Sequence, residues 1–109
     1  RAPSMTARIW RGTVHRDDGD AYAAYILDTG FAQYTATPGN RGAWLLRNDG
    51  VDRTEFVAFT LWDSLDAIRS FAGDEAETSV SYPEDDRYLV GPPSVTHYEV
   101  AGDADRRSS

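Results

Sequence analysis

Apolar and polar residues alternate along "TARIWRGTVHR", Thr6–Arg16, around β-branched and aromatic side chains, which predicts a first strand. The acidic turn "DDGD" follows, where carboxylates favour a helix N-terminus. "AYAAYILDTGFAQY" then sets Ala21, Tyr25 and Ile26 at helical spacing, with Tyr22 close by. Gly30 either ends that helix or marks a break before one more turn. Pro38 and Gly39 in "TATPGN" break the pattern into a loop. "RGAWLLRND" predicts a second strand, a tight turn follows between Asp49 and Asp52, and "RTEFVAFTLW" predicts a third strand. That third strand is apolar on both faces, as a central strand covered on two sides would be. Asp63 or Ser64 supplies a cap, Leu65, Ile68 and Phe71 form a helical stripe, and Gly73 is a stop. "SVTHYEV" completes the pattern as a fourth strand.

The order β-α-β-β-α-β is the split βαβ plan, an α+β, ferredoxin-like fold with one four-stranded antiparallel sheet and both helices on one face. The apolar content of the third strand predicts that the second face is covered too. A homodimer packing sheet against sheet, a dimeric α+β barrel, is the simplest cover; a monomer with one wet face would show a more polar alternation. The stretch from Asp74 to Pro93 is long for a helix-to-strand connection, and such connections often serve as lids or binding loops. Within it, Pro83–Leu89 predicts a short helical turn, because Pro at the first turn is followed by three acids.

Composition narrows the classes. The 109 residues bound a single domain, expected over 5–100, with residues 1–4 a cloning remnant before Met5 and 101–109 a flexible polar tail. Hydrophobic residues at 40% and aromatics at 12% exclude a disordered chain. No apolar run approaches a membrane span and no secretory leader is recognisable, so the cytoplasm is the expected location. The chain lacks cysteine, which removes disulfides and thiolate chemistry. Its eleven basic residues are all arginine, so no lysine can form a Schiff base. A net charge of −7 disfavours nucleic acid and anionic membrane surfaces as partners.

Three stretches resemble the antibiotic biosynthesis monooxygenase group of dimeric α+β barrels. They are the strand just after Met5, the turn and strand "PGNRGAWLLR" (Pro38–Arg47), and "EFVAFTLWDSLDAIRSFAG" (Glu55–Gly73), where a strand ends in Trp before a capped helix. The resemblance spans Thr6–Val100 and implies a homodimer with a hydrophobic small-molecule substrate. Members of that group include cofactor-independent quinone-forming oxygenases, haem-degrading enzymes, polyketide cyclases and isomerases. The haem-degrading pattern combines a Trp ending the third strand, which Trp62 matches, with an Asn in the first strand and a His on the second helix. "ARIWRGTVHR" contains no Asn and "SFAGDEAETSVSYPEDD" no His. Tyr82, near the expected ligand position, is then the one candidate for haem iron, since tyrosinate can ligate it.

Candidate chemistry follows from these elements. Two histidines on different strands do not assemble a metal site, and no G-x-S-x-G elbow occurs. Trp10, Trp44 and Trp62 lie on three strands and, with Tyr34, Tyr82, Tyr88 and Tyr98, either line an aromatic pocket or build the core and a dimer interface. Trp62, at a strand-to-helix junction, is expected at the pocket rim. Arg11 either pairs with Glu99 or stabilises an oxyanion. His97 is a general base at the pocket or a strand histidine bonded at an interface. "PEDD" reads as a solvated, capped turn. The resemblance implies oxygenation of a phenol or anthrone-type substrate by dioxygen without a cofactor, by proton removal and enolate stabilisation. The expected catalytic set is Trp62, Arg11, His97 and Tyr82, with Trp10, Tyr34, Trp44 and Tyr98 against the substrate. A cyclase, an isomerase or a non-catalytic ligand-binding dimer would use the same pocket.

Overall fold

A computed structural model describes residues 5–73, 80 and 82–103. Four strands, β1 (Thr6–His15), β2 (Asn40–Asp49), β3 (Arg53–Trp62) and β4 (Ser94–Glu99), form one antiparallel sheet in the order β2-β3-β1-β4. Strand β3 is central, as its two-sided apolar pattern demands. It pairs with β1 along its whole length, from Thr6 opposite Trp62 to His15 opposite Arg53. This is the α+β, ferredoxin-like plan that the element order predicts.

The first helical run does not stop at Gly30. Helix α1 (Gly19–Ile26) widens into a π turn over Leu27–Phe31 and continues as α2 (Ala32–Ala36). The extra residue of a π turn shifts the following face around the axis, and here Gly30 is buried in the turn. Helix α3 (Leu65–Ala72) begins at Ser64, whose hydroxyl accepts from the Ala67 amide at 3.1 Å, so Ser64 rather than Asp63 is the cap. Gly73 ends it at a φ of +85°, where a side chain would be strained. The predicted turn after Pro83 contains a single helical turn, α4 (Asp85–Tyr88). The expected N-terminal remnant, the last six residues of the expected tail, and residues 74–79 and 81 of the expected lid lie outside the described residues.

The two sheet faces differ. On the helix-covered face stand Arg8, Trp10, Gly12 and Val14 of β1 and Thr54, Phe56, Ala58, Thr60 and Trp62 of β3, all buried. Tyr22, Ile26, Tyr34 and Ile68 close the core over them. A Cβ on Gly12 would stand 2.4 Å from the Trp10 ring, so the ring's place along β1 requires that glycine. The opposite face carries Ile9 and Arg11, then Val57, Phe59 and Leu61, then Trp44, Leu46 and Tyr98. Trp44, Leu46 and Tyr98 remain 48%, 51% and 54% exposed, too much apolar surface for an ordinary wet sheet face. No helix among the described residues is long and apolar enough to cross a membrane.

Candidate functional site

Between the covered sheet face and the helices lies a narrow cavity. Strand β1 contributes Arg8 and Trp10; the first helical run contributes Tyr22, Ile26, Gly30 and Tyr34. Phe71 of α3 and then Val80, Tyr82 and Asp85 close the far side. The cavity volume is about 20 Å³, room for about one water. Its walls are mostly aromatic, with a cation and a carboxylate set into them.

The cation is Arg8, 1% exposed. Strand parity puts it two residues before Trp10 on the same face, opposite Thr60 of β3 and His97 of β4. Its guanidinium lies 5.3 Å from the centre of the Phe71 ring and shares a hydrogen bond with the Tyr34 hydroxyl. Burial pulls Arg8 below its ordinary value, and the nearby Tyr34 and Tyr82 phenols work against that. An arginine starts so high that the group stays cationic near neutrality. Burial pushes the Tyr34 phenol up, with Arg8 opposing, so Tyr34 is a neutral hydroxyl there.

The carboxylate is Asp85, 7% exposed. Its Oδ1 accepts from the Tyr22 hydroxyl at 3.1 Å and its Oδ2 from the Tyr82 amide at 2.8 Å. These donors explain why a carboxylate can be buried at this point. They also fasten α4 to α1, helped by the Glu84 amide donating to the Tyr25 hydroxyl at 2.9 Å. Burial, and then the Asp85 charge, push the Tyr22 phenol upward. Tyr82 is pushed up to about 12, first by burial and then by neighbouring Tyr34 and Asp85, so it faces the cavity as a donor. Among the described residues no group of three His, Asp or Glu side chains could hold a metal ion.

The expected site residues divide between the faces. Trp10, Tyr34 and Tyr82 line the cavity. His97 stands on the same face, on β4 directly opposite Arg8, outside the lining. Trp62 is not at a rim: it is fully buried, edge-on to Tyr34 at 6.2 Å and tilted against Phe71 at 5.9 Å. Its indole N–H donates to the Thr60 hydroxyl at 2.8 Å, which in turn donates to the Arg8 carbonyl at 3.1 Å. Trp62 therefore holds the strand that carries Arg8. Arg11, Trp44 and Tyr98 lie on the open face, away from the cavity, because each stands at the opposite strand parity in this register. Arg11 does not meet Glu99 either: it pairs with Ser94, and Glu99 with Thr6. Arg8 and Asp85 went unrecognised in sequence. Strand parity with Trp10 was the available signal for Arg8, whereas nothing local distinguishes Asp85 from the solvated acids beside it.

No protein-family model matches the chain, and no curated protein matches it in sequence. Solved structures do match in fold. A provisionally assigned antibiotic biosynthesis monooxygenase from Bacillus cereus superposes with a TM-score of 0.69 at 14% identity, covering 94% of this chain and 98% of that one. A haem-degrading protein from Mycobacterium tuberculosis gives a TM-score of 0.66 at 21% identity, covering 96% and 99%. A further provisionally assigned monooxygenase, from Caulobacter crescentus, gives 0.66 at 16%, covering 92% of each chain. The chain thus has the ferredoxin-like α+β fold of these solved structures.

Proposed function

We propose that the chain is a cytoplasmic, homodimeric, cofactor-independent monooxygenase-like enzyme acting on a hydrophobic aromatic or polyketide-like small molecule. The observation that carries this reading is a buried cation, Arg8, set in a cavity wall with five aromatic side chains, Trp10, Tyr22, Tyr34, Phe71 and Tyr82. Such a wall accepts a planar ring, and the cation stabilises negative charge developing on it where water is scarce. The fold shared with monooxygenases supports the reading at the level of architecture. At about 20 Å³ the cavity is too narrow for a ring, so binding one requires the Tyr82 side, held through Asp85, to give way.

The chemistry requires a substrate acidic enough to lose a proton. For an anthrone, the activated CH₂ loses a proton, the resulting enolate reacts with dioxygen, and the carbon ends as a carbonyl with release of one water. In that sequence Arg8 offsets the enolate charge, Tyr82 and Tyr34 donate hydrogen bonds, and His97 beside Arg8 is the candidate proton acceptor. Trp62 acts through Thr60 on the Arg8 backbone and is a positioning residue. Oxygen uptake and quinone formation with 1,8-dihydroxyanthrone, in metal-free buffer, test the assignment. Turnover above the spontaneous rate, reduced by Arg8→Met, is expected; a rate equal to the blank despite bound substrate would sink it.

The dimer rests on the open sheet face, where Trp44, Leu46 and Tyr98 form an apolar surface that a second copy would cover. Light scattering that returned a 12.1 kDa species at micromolar concentration would exclude it.

Haem fits this cavity poorly. The lining residues of a kind that ligates iron are the tyrosines Tyr22, Tyr34 and Tyr82, and burial raises all three phenols, which keeps them protonated. A tight, shifted Soret band on adding haemin would reverse the order of the two readings.

A further inference from the structure

The charge in the cavity wall restricts which aromatic molecules the site can take. Arg8 is fixed there by three independent features: its strand position between Thr60 and His97, the Phe71 ring beneath its guanidinium, and the Tyr34 hydroxyl. The net charge of −7 offers an anion no long-range attraction, so any preference for one must come from this local cation. Asp85, in the same wall, repels negative charge and thereby sets direction. We propose that the cavity recognises its ligand as a planar aromatic anion, a carboxylate, phenolate or enolate. The negative oxygen meets Arg8, and the ring packs against Trp10 and Phe71. The inference rests on the reading of this cavity as a small-molecule site and adds the charge state of what it binds.

Gly30 supplies an independent handle on the same space. A Cβ there would meet only the Tyr82 ring at 3.7 Å and the Ile26 side chain at 3.9 Å, both ordinary contacts. A Cβ at Gly30 therefore fits, and because Gly30 lines the cavity a longer side chain there would compete with a ligand for its space.

Salicylate and salicylamide share a ring and hydroxyl and differ in charge, so calorimetric titration of the full chain with each reads the preference directly. Salicylate is expected to bind at least about tenfold more tightly. Arg8→Met should weaken salicylate about 10- to 100-fold, the size of one charge-assisted hydrogen bond, and leave salicylamide within about threefold. Arg8→Lys should recover part of the loss, and Gly30→Leu should abolish both. If Arg8→Met does not fold, the preference of the unsubstituted protein and its disappearance in Gly30→Leu decide the matter. Equal affinity for the two probes, or a salicylate preference that survives Arg8→Met or Gly30→Leu, overturns the inference. Failure of both probes to bind overturns the small-molecule reading beneath it. Arg8-dependent salicylate binding without oxygen uptake from any anthrone leaves the anion site standing and removes only the oxygenase.

Discussion

The same strands present two chemically unlike faces. Toward the helices, Trp62, Phe56 and Trp10 are buried together with Arg8, Thr54 and Thr60, and the polar groups among them sit in a bonded framework. Away from the helices, Trp44, Phe59 and Leu46 make an apolar patch beside exposed Arg11 and Glu55, with Trp44 and Leu46 left about half exposed by one chain. Large aromatics occur on both faces and do not discriminate between them. Polar groups do. Burying a hydroxyl or guanidinium costs free energy unless it is hydrogen-bonded, so a buried polar cluster beside a cavity marks a place built for ligand chemistry. A face whose polar groups are exposed and whose centre is apolar offers shape and area, which suits a second copy of the chain.

The sharpest break of that comparison is Trp62→Ala. Losing a fully buried ring should destabilise the fold by about 3–5 kcal/mol, read from urea unfolding. Trp44→Ala on the open face should change protomer stability far less. It should instead weaken self-association by at least about tenfold, read by sedimentation, as loss of a central aromatic anchor does. If the two substitutions exchanged effects, the assignment of the faces would be wrong.

Alkaline pH separates the faces more gently. Burial raises the folded-state values of Tyr22, Tyr34 and Tyr82 above the ordinary value of 10, Tyr82 to about 12. Their protonated forms thus contribute stability that is fully present below pH 10 and lost as pH rises through the folded values. The urea midpoint should fall over that window, and Tyr82→Phe should make the fall shallower. The smallest effect is expected in acid, at the rim of the covered face. Hydrogen bonds from Thr54 and Arg47 hold the Asp49 carboxyl below its ordinary 3.8. Its contribution is present above that value and disappears as pH falls through the lower folded one. Thr54→Val should reduce the stability difference between pH 6 and pH 2 slightly, and no reduction at all would remove that role.

Much of the architecture was legible in the chain. The third strand reads from Arg53 to Trp62 in the sequence and spans the same residues in the fold, because its boundaries are set by Asp52 before it and a Ser64 cap after it. Its apolar character on both faces announced a central strand, and alternation on the first strand separated Trp10 from Arg11. The sequence nevertheless pointed to Arg11 as the electrostatic group, whereas the parity that Trp10 follows belongs to Arg8. The candidate site was less legible because it depends on distance across the fold. Asp85 resembles Glu84 and Asp86 in sequence; it is buried only because Tyr22, 63 residues earlier, points its hydroxyl there. Trp44 and Trp62 both read as pocket aromatics, and the β2–β3 register, which sets Trp44 opposite Phe59, puts them on opposite faces.

Periodicity and capping are local, acting over a few residues, so the sequence by itself determined the strands, the main helical segments and their order. Register, the π turn that buries Gly30 and the docking of α4 depend on contacts between segments far apart in the chain. These were decided only when the layers packed, since a one-residue change of register would exchange the two faces. The tertiary structure thereby chose which arginine faces the cavity: Arg8, beneath the helices with Phe71 and Tyr34, and not Arg11.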